Sequence, residues 1–238
     1  MKLRLSITTA ILSALPALAV ADTPIPERPE EIDFEALSFD VPQPGEYRHV
    51  LPNGVVVYLA PSSEFPLVNV SMTFKGGRDL DPPDRTGLAS MTGAMMRDGG
   101  TRSLTAEEFD EQLDFLAANV SAGVGKTTSS ASLNCLKANL DESMALFMDM
   151  LKNPGFQQTR LDVLKDSRLE RMKQRNDDAG SIESREWDAL MYGRDHFESA
   201  QATEETITTI DRAALESMSS RIFHPGNVIV AVTGDFDP

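Results

Sequence analysis

Cysteine is nearly absent from this sequence: Cys135 stands alone in 238 residues, which excludes an internal disulfide. It lies in an alternating run, the setting of a buried small apolar residue rather than of a reactive thiol. Histidine is almost as scarce. His49, His196 and His224 are the whole complement, and no two are three or four residues apart, so no helix can offer a paired imidazole site for a metal. Each reads as a surface or structural histidine. Positive charge is also short, with 22 Lys and Arg against 37 Asp and Glu and a net charge of −15. An anionic surface argues against nucleic acid, which needs a basic footprint. It favours solubility and basic partners or peptides. Long hydrophobic runs are missing too. The stretch 7–20 is mostly apolar but is broken by small polar residues and Pro16, and it falls short of the roughly 20 residues that span a bilayer.

What is present at the start points to export. Lys2 and Arg4 precede that apolar run, and Ala19-Val20-Ala21 supplies the small-x-small pattern of a cleavage site before Asp22. Residues 1–21 are therefore expected to be a signal peptide, with no membrane span after its removal. The protein would be periplasmic in a Gram-negative cell. No lipid anchor is expected, because no cysteine follows the cleavage point directly. Residues 22–45 are rich in Pro, Glu and Asp without apolar periodicity, and read as an extended leader. Residues 46–238 are long enough for one sizeable core.

That domain opens with strand-like runs at 47–51 and 55–60 around Pro52-Asn53-Gly54, a hairpin signal because Asn and Gly tolerate positive φ. The run 67–74 alternates Val68, Val70, Met72 and Phe74 on one face. Helical spacing follows at 86–96, with Leu88, Met91, Met95 and Met96. Thr105 and Glu108 form a capping-box signature ahead of Phe109, Leu113 and Leu116. A second strand pair is predicted at 120–124 and 127–133, and a helix through Leu140, Met144, Phe147, Met148 and Leu151. A long charged helix at 158–175 is followed by one at 182–191 that is expected to bury Trp187. A last helix carries Leu215, Met218 and Ile222, and 228–232 is an apolar strand. Strands and helices in this order predict an α+β fold, an antiparallel or mixed sheet covered by helices. The acidic clusters Glu107, Glu108, Asp110, Glu111 and Glu204, Glu205 fall at helix starts or exposed faces, where negative charge suits the helix dipole.

Several short signatures, in order, resemble the N-terminal domain of the insulinase/pitrilysin metallopeptidases, whose members include the mitochondrial processing peptidases. They are Leu51-Pro52-Asn53-Gly54, Gly76-Gly77-Arg78-Asp79, Gly87-Leu88-Ala89, Asn153-Pro154, Asn176-Asp177-Asp178, and His224-Pro225-Gly226-Asn227 leading to Gly234-Asp235. The resemblance implies the processing-peptidase-like sheet-and-helix domain. It also implies a second domain of similar size after Gly234-Asp235-Phe236-Asp237-Pro238, so the chain is expected to be truncated.

The family's inverted zinc motif, His-x-x-Glu-His, sits on the helix opened by Gly-Leu-Ala. Two imidazoles from one helix face hold zinc, and the Glu takes a proton from the metal-bound water. On that pattern the first His position holds Ser90, the Glu position Gly93 and the second His position Ala94. The third ligand position, on the long helix, holds Arg171, with Glu170 one residue away. The degenerate positions Ser90, Gly93, Ala94 and Arg171 leave no catalytic residues and no metal site, and no cofactor is expected although the family uses zinc. Ser90 lacks a nucleophile elbow and a neighbouring His.

The resemblance further implies that a peptide adds to an edge strand near the metal position. Here that strand corresponds to Asn119, Val120, Ser121, Ala122, Gly123 and Val124; the alternative is an ordinary interior strand. The function expected is a non-catalytic peptide-binding or structural subunit, paired with a zinc-bearing homologous subunit or with a second copy of itself. Two alternatives stand beside it: a stand-alone envelope peptide-binding or scaffolding protein, and an active metalloendopeptidase with an unrecognised site.

Overall fold

The computed structural model describes residues 43–238, together with residues 28, 38, 39 and 41. Residues 1–21, expected to be a signal peptide, and most of the expected leader lie outside the described residues. The chain divides after Val41 into two units, and the architecture that follows is that of the second, Pro42–Pro238. Its elements are α1 Pro44–Tyr47, β1 Arg48–Val50, β2 Val56–Pro61, β3 Leu67–Lys75, α2 Leu88–Asp98, α3 Ala106–Phe115, β4 Asn119–Val124, β5 Thr128–Leu136, α4 Leu140–Lys152, α5 Gln158–Gln174, α6 Ala179–Tyr192, α7 Glu204–Thr208, α8 Arg212–Ile222 and β6 Val228–Gly234.

The six strands form one sheet in the order β1-β2-β6-β3-β5-β4. Only β2 and β6 pair in parallel; the other neighbours are antiparallel. The fold is thus α+β with a mixed sheet. The alternation in β3 decides which face is covered: Val68, Val70 and Phe74 are buried, while Asn69, Ser71 and Thr73 are exposed. In β5, Ala131, Leu133 and Cys135 continue the buried face. Helices supply Met91, Met95, Phe109, Phe147, Met150, Leu161 and Leu215 to the same core. One face is therefore dry and helix-covered, as a period-two pattern requires.

Local chemistry explains the ends of the elements. In the β1–β2 turn the Gly54 N–H donates to the Leu51 carbonyl at 2.8 Å, and the Asn53 side chain accepts from the Val55 N–H at 3.2 Å. The Thr105–Glu108 capping box is reciprocal: the Glu108 N–H donates to Thr105 Oγ1 and the Thr105 N–H to the Glu108 carboxylate.

Three details differ from the sequence expectation. The leader does not remain extended to residue 45, because Pro44 starts the helical turn α1 at a first helical position that suits proline; β1 is correspondingly shorter. The short α7 has no counterpart in the periodicity, being five residues long and set by a Thr203–Thr206 capping box. Trp187 is not buried. It is 59% exposed, with Leu190 at 74% and Met191 at 59%, because α6 contributes no buried residue to the core. Its apolar side chains face outward. Among the described residues no helix is long and apolar enough to cross a membrane.

Candidate functional site

The position where the family motif would lie is built on α2, which Asp81 fixes at its start. Both carboxylate oxygens are used: Oδ2 accepts from the Gly87 N–H at 2.9 Å and Oδ1 from the Ala89 N–H at 2.6 Å. Burial pushes the Asp81 carboxyl up, against the opposing pull of those two donors and of Arg78. Removing this cap should loosen the helix entrance. Asp81→Ala is expected to destabilise the fold by about 1–2 kcal/mol, and Asp81→Asn, which keeps an acceptor, by less. Urea titration of the two variants checks both values.

Ser90 donates its hydroxyl hydrogen to the Gly87 carbonyl at 3.0 Å, so it is tied to its own helix. One turn on, Gly93 is buried against β4. A Cβ placed there would stand 2.8 Å from the Val124 nitrogen and 3.1 Å from the Gly123 carbonyl carbon. Arg97, a further turn on, donates from Nε to the Val120 carbonyl at 3.1 Å and pairs with Asp110 at 2.7 Å. It also lies over the Phe109 ring. Thus α2 runs along β4 in the opposite direction, in backbone contact at Gly93 and strapped by Arg97.

β4 is the terminal strand of the sheet. The Gly125 N–H donates to the Thr128 carbonyl at 2.8 Å, which sets the alternation of the ladder. Asn119, Ser121 and Gly123 then bond inward to β5, while Val120, Ala122 and Val124 direct their N–H and C=O groups outward. The Val120 carbonyl is taken by Arg97. Gly123 has open space on the side where a Cβ would point.

The opposite wall comes from α5. Arg168, Arg171 and Arg175 line a cavity of about 300 Å³ together with Ser90, Met91 and Gln201. Glu170 faces elsewhere, into a different groove where it pairs with Lys173 at 3.0 Å. Of the two candidates for the third ligand position, Arg171 is therefore the one beside Ser90. A neighbouring cavity of about 640 Å³ shares Gly87, Ser90 and Arg168 and adds Arg78, Asp81, Arg194 and Asp195.

These residues do not suit zinc. A hydroxyl, an absent side chain, a methyl and a guanidinium offer no imidazole or carboxylate donor set. A glutamate at position 93 would collide with the β4 backbone, and three guanidinium groups repel a dication. The histidines do not converge: His49 is on β1, His196 stacks on Tyr192, and His224 borders a separate apolar cavity between α4, α8 and the sheet. Among the described residues no three His, Cys, Asp or Glu side chains come together as a ligand set.

Sequence reasoning placed Ser90, Gly93, Ala94 and Arg171 around one locus but missed Arg168, Arg175, Arg97 and Asp81. The spacing of the three α5 arginines, three and then four residues, was the available signal; it was submerged in a helix charged on every side.

A model of the insulinase family, peptidase family M16, matches residues 56–199. The non-peptidase homolog YmxG of Helicobacter pylori is 24% identical over 196 residues, covering 82% of this chain and 42% of that protein. Among solved structures, the M16 inactive domain from Pseudomonas fluorescens superposes with a TM-score of 0.73 at 24% identity, covering 80% of this chain and 46% of the other. The periplasmic protease PqqL from Escherichia coli gives a TM-score of 0.70 at 19% identity, with 83% of this chain and 23% of PqqL covered. The chain spans less than half the length of each of these relatives. With its helix-covered mixed sheet and a family match over residues 56–199, this chain belongs to the insulinase family, peptidase family M16, and carries a degenerate form of its metal site.

Proposed function

We propose that this protein is an exported, non-catalytic insulinase-family subunit that holds peptide and shapes a chamber beside a zinc-bearing homologous partner. The observation that carries this reading is the way the metal position is rebuilt: Gly93 is packed onto the Val124 backbone and arginines line the space opposite. Loss of the motif is thus accommodated by the surrounding structure. The peptide would add to the outward-facing groups of β4 at Ala122 and Val124, beside the open side of Gly123. The other end of that edge, at Val120, is strapped by Arg97.

Pairing is supported by α6. Trp187, Leu190 and Met191 are large, apolar and exposed, and a helix carrying such a face is suited to an interface, where aromatic residues anchor partners. Export rests on the basic start, the apolar stretch and the Ala19-Val20-Ala21 site, and the periplasmic PqqL is in keeping with it.

The test is co-expression with homologues that retain His-x-x-Glu-His. Co-purification and raised peptidase activity are expected, and the double variant Trp187→Glu, Leu190→Glu should weaken association about 100-fold while leaving urea unfolding within about 0.5 kcal/mol of the parent. A stable homo-oligomer that binds peptide but takes no zinc-bearing partner would replace this reading with a stand-alone binding or scaffolding protein. Chelator-sensitive cleavage by the isolated protein, with one zinc per chain, would overturn it.

A further inference from the structure

The cavity between α2 and α5 has an electrostatic character opposite to that of the whole chain. In a sequence with a net charge of −15, its lining contains three arginines and no carboxylate: Arg168, Arg171 and Arg175, with the Ser90 hydroxyl and the Gln201 amide. Positions separated by three and four residues lie along one helix stripe, where like charges repel. None of the three forms an ion pair among the described residues. Arg171 donates from Nε to the Ser167 carbonyl at 3.3 Å, and Arg175 donates from one terminal nitrogen to the Ala202 carbonyl at 3.3 Å. Each keeps further N–H donors free. Arg168 is the most telling of the three, since its Nε is shielded from solvent and has no hydrogen-bond partner. Burial and the adjacent Arg171 both disfavour its charge. The acidic side chains of the adjoining cavities stand outside this lining: Asp81, committed to the α2 N–H groups, and Asp195 belong to the cavity that Arg168 also borders, and Asp166, Glu170 and Glu204 belong to the groove that Arg175 also borders.

We propose that Arg168, Arg171 and Arg175 form a carboxylate-binding pocket that receives an acidic residue of the bound peptide. A guanidinium presents a planar fork matched to a carboxylate, and an incoming anion would supply the counter-charge that the pocket lacks. The placement also suits a peptide on β4. Arg97 reaches Val120 and Gly93 touches Val124, so Ser90, one turn earlier on α2, lies ~5 Å beyond the Val124 end of the strand. An extended peptide rising about 3.3 Å per residue leaves that edge and brings its next one or two side chains to the pocket. This assignment of substrate class rests on the peptide-holding reading given above.

Two measurements on the purified protein test it separately from that reading. The first is thermal unfolding with glutarate, phosphate or chloride at matched ionic strength. Glutarate should give a saturable rise in Tm that is lost in Arg168→Gln, Arg171→Gln and retained in Arg160→Gln, which removes a charge from α5 outside the pocket. The second is fluorescence anisotropy with extended peptides bearing Asp and Glu, their Asn and Gln counterparts, and both sets with free or amidated C-termini. The acidic side-chain peptides should bind about tenfold more tightly than the neutral ones, and the double variant should erase that preference. Preference that follows the free C-terminus instead would place a chain end, not a side chain, in the pocket. Peptides that bind equally whatever their charge would sink the carboxylate pocket and leave peptide holding intact. Binding of glutarate but of no peptide would sink peptide holding and leave an anion site. Stabilisation by phosphate alone, or by no anion, would overturn the carboxylate assignment itself.

Discussion

Gly93→Glu is expected to destabilise the domain by about 4 kcal/mol, even when Ser90→His and Ala94→His accompany it to rebuild the whole inverted motif. The reason is geometric before it is chemical. A Cβ at position 93 meets the Val124 nitrogen at 2.8 Å and the Gly123 carbonyl carbon at 3.1 Å, and both are backbone atoms that cannot rotate aside. Helix α2 or strand β4 must move, and overpacking of this kind costs about 1–3 kcal/mol. The glutamate also adds a charge buried against the β4 backbone, which costs several kcal/mol more unless it is neutralised. Gly93→Ala isolates the steric part. Its gain in helix propensity, about 1 kcal/mol, offsets some of the collision, so a net loss of about 1 kcal/mol is expected. Urea unfolding of the two variants, with zinc titrated into the triple variant, checks the argument. A triple variant with the parent midpoint and one tightly held zinc would show that the metal position had only lost its ligands and not its space.

The second large effect is expected at Gly234, where β6 ends. Its φ of +111° lies outside the range that L residues readily adopt, and a Cβ there would overlap the Leu67 carbonyl oxygen and stand 3.1 Å from the Val68 Cα. The same junction carries three interactions: Ser62 N–H to the Gly234 carbonyl at 2.7 Å, Asp235 N–H to the Leu67 carbonyl at 2.9 Å, and the Lys137–Asp235 ion pair at 2.6 Å. Gly234→Ala should therefore cost about 3 kcal/mol, a fall in Tm of about 10 °C for a domain of this size. Gly123→Ala is the internal comparison. Position 123 is also glycine in a strand, but its Cβ would meet nothing within 4 Å and its φ is not positive, so no loss is expected. Equal Tm shifts in the two variants would remove the structural distinction drawn between them.

The sequence by itself determined the alternating faces of β3 and β5, the Asn53-Gly54 turn, the Thr105–Glu108 cap and the buried helix stripes, since each of these is encoded within a few neighbouring residues. The buried Cys135 and the family resemblance were legible for the same reason, as was the chemical poverty of Ser90, Gly93 and Ala94 as ligands. What only the tertiary structure decided depends on segments far apart in the chain. Periodicity alone buried Trp187, but burial needs a packed neighbour, and α6 lies with that face outward. The choice between Glu170 and Arg171 required the rotation of α5 relative to α2, which no local spacing supplies. The contact of Gly93 with Val124 spans 31 positions, the difference of 124 and 93, and the three α5 arginines meet Ser90 only because the two helices are neighbours in space. Local propensity set the elements and their faces; the crossing of α2 over β4 and beside α5 set what the vacated site became.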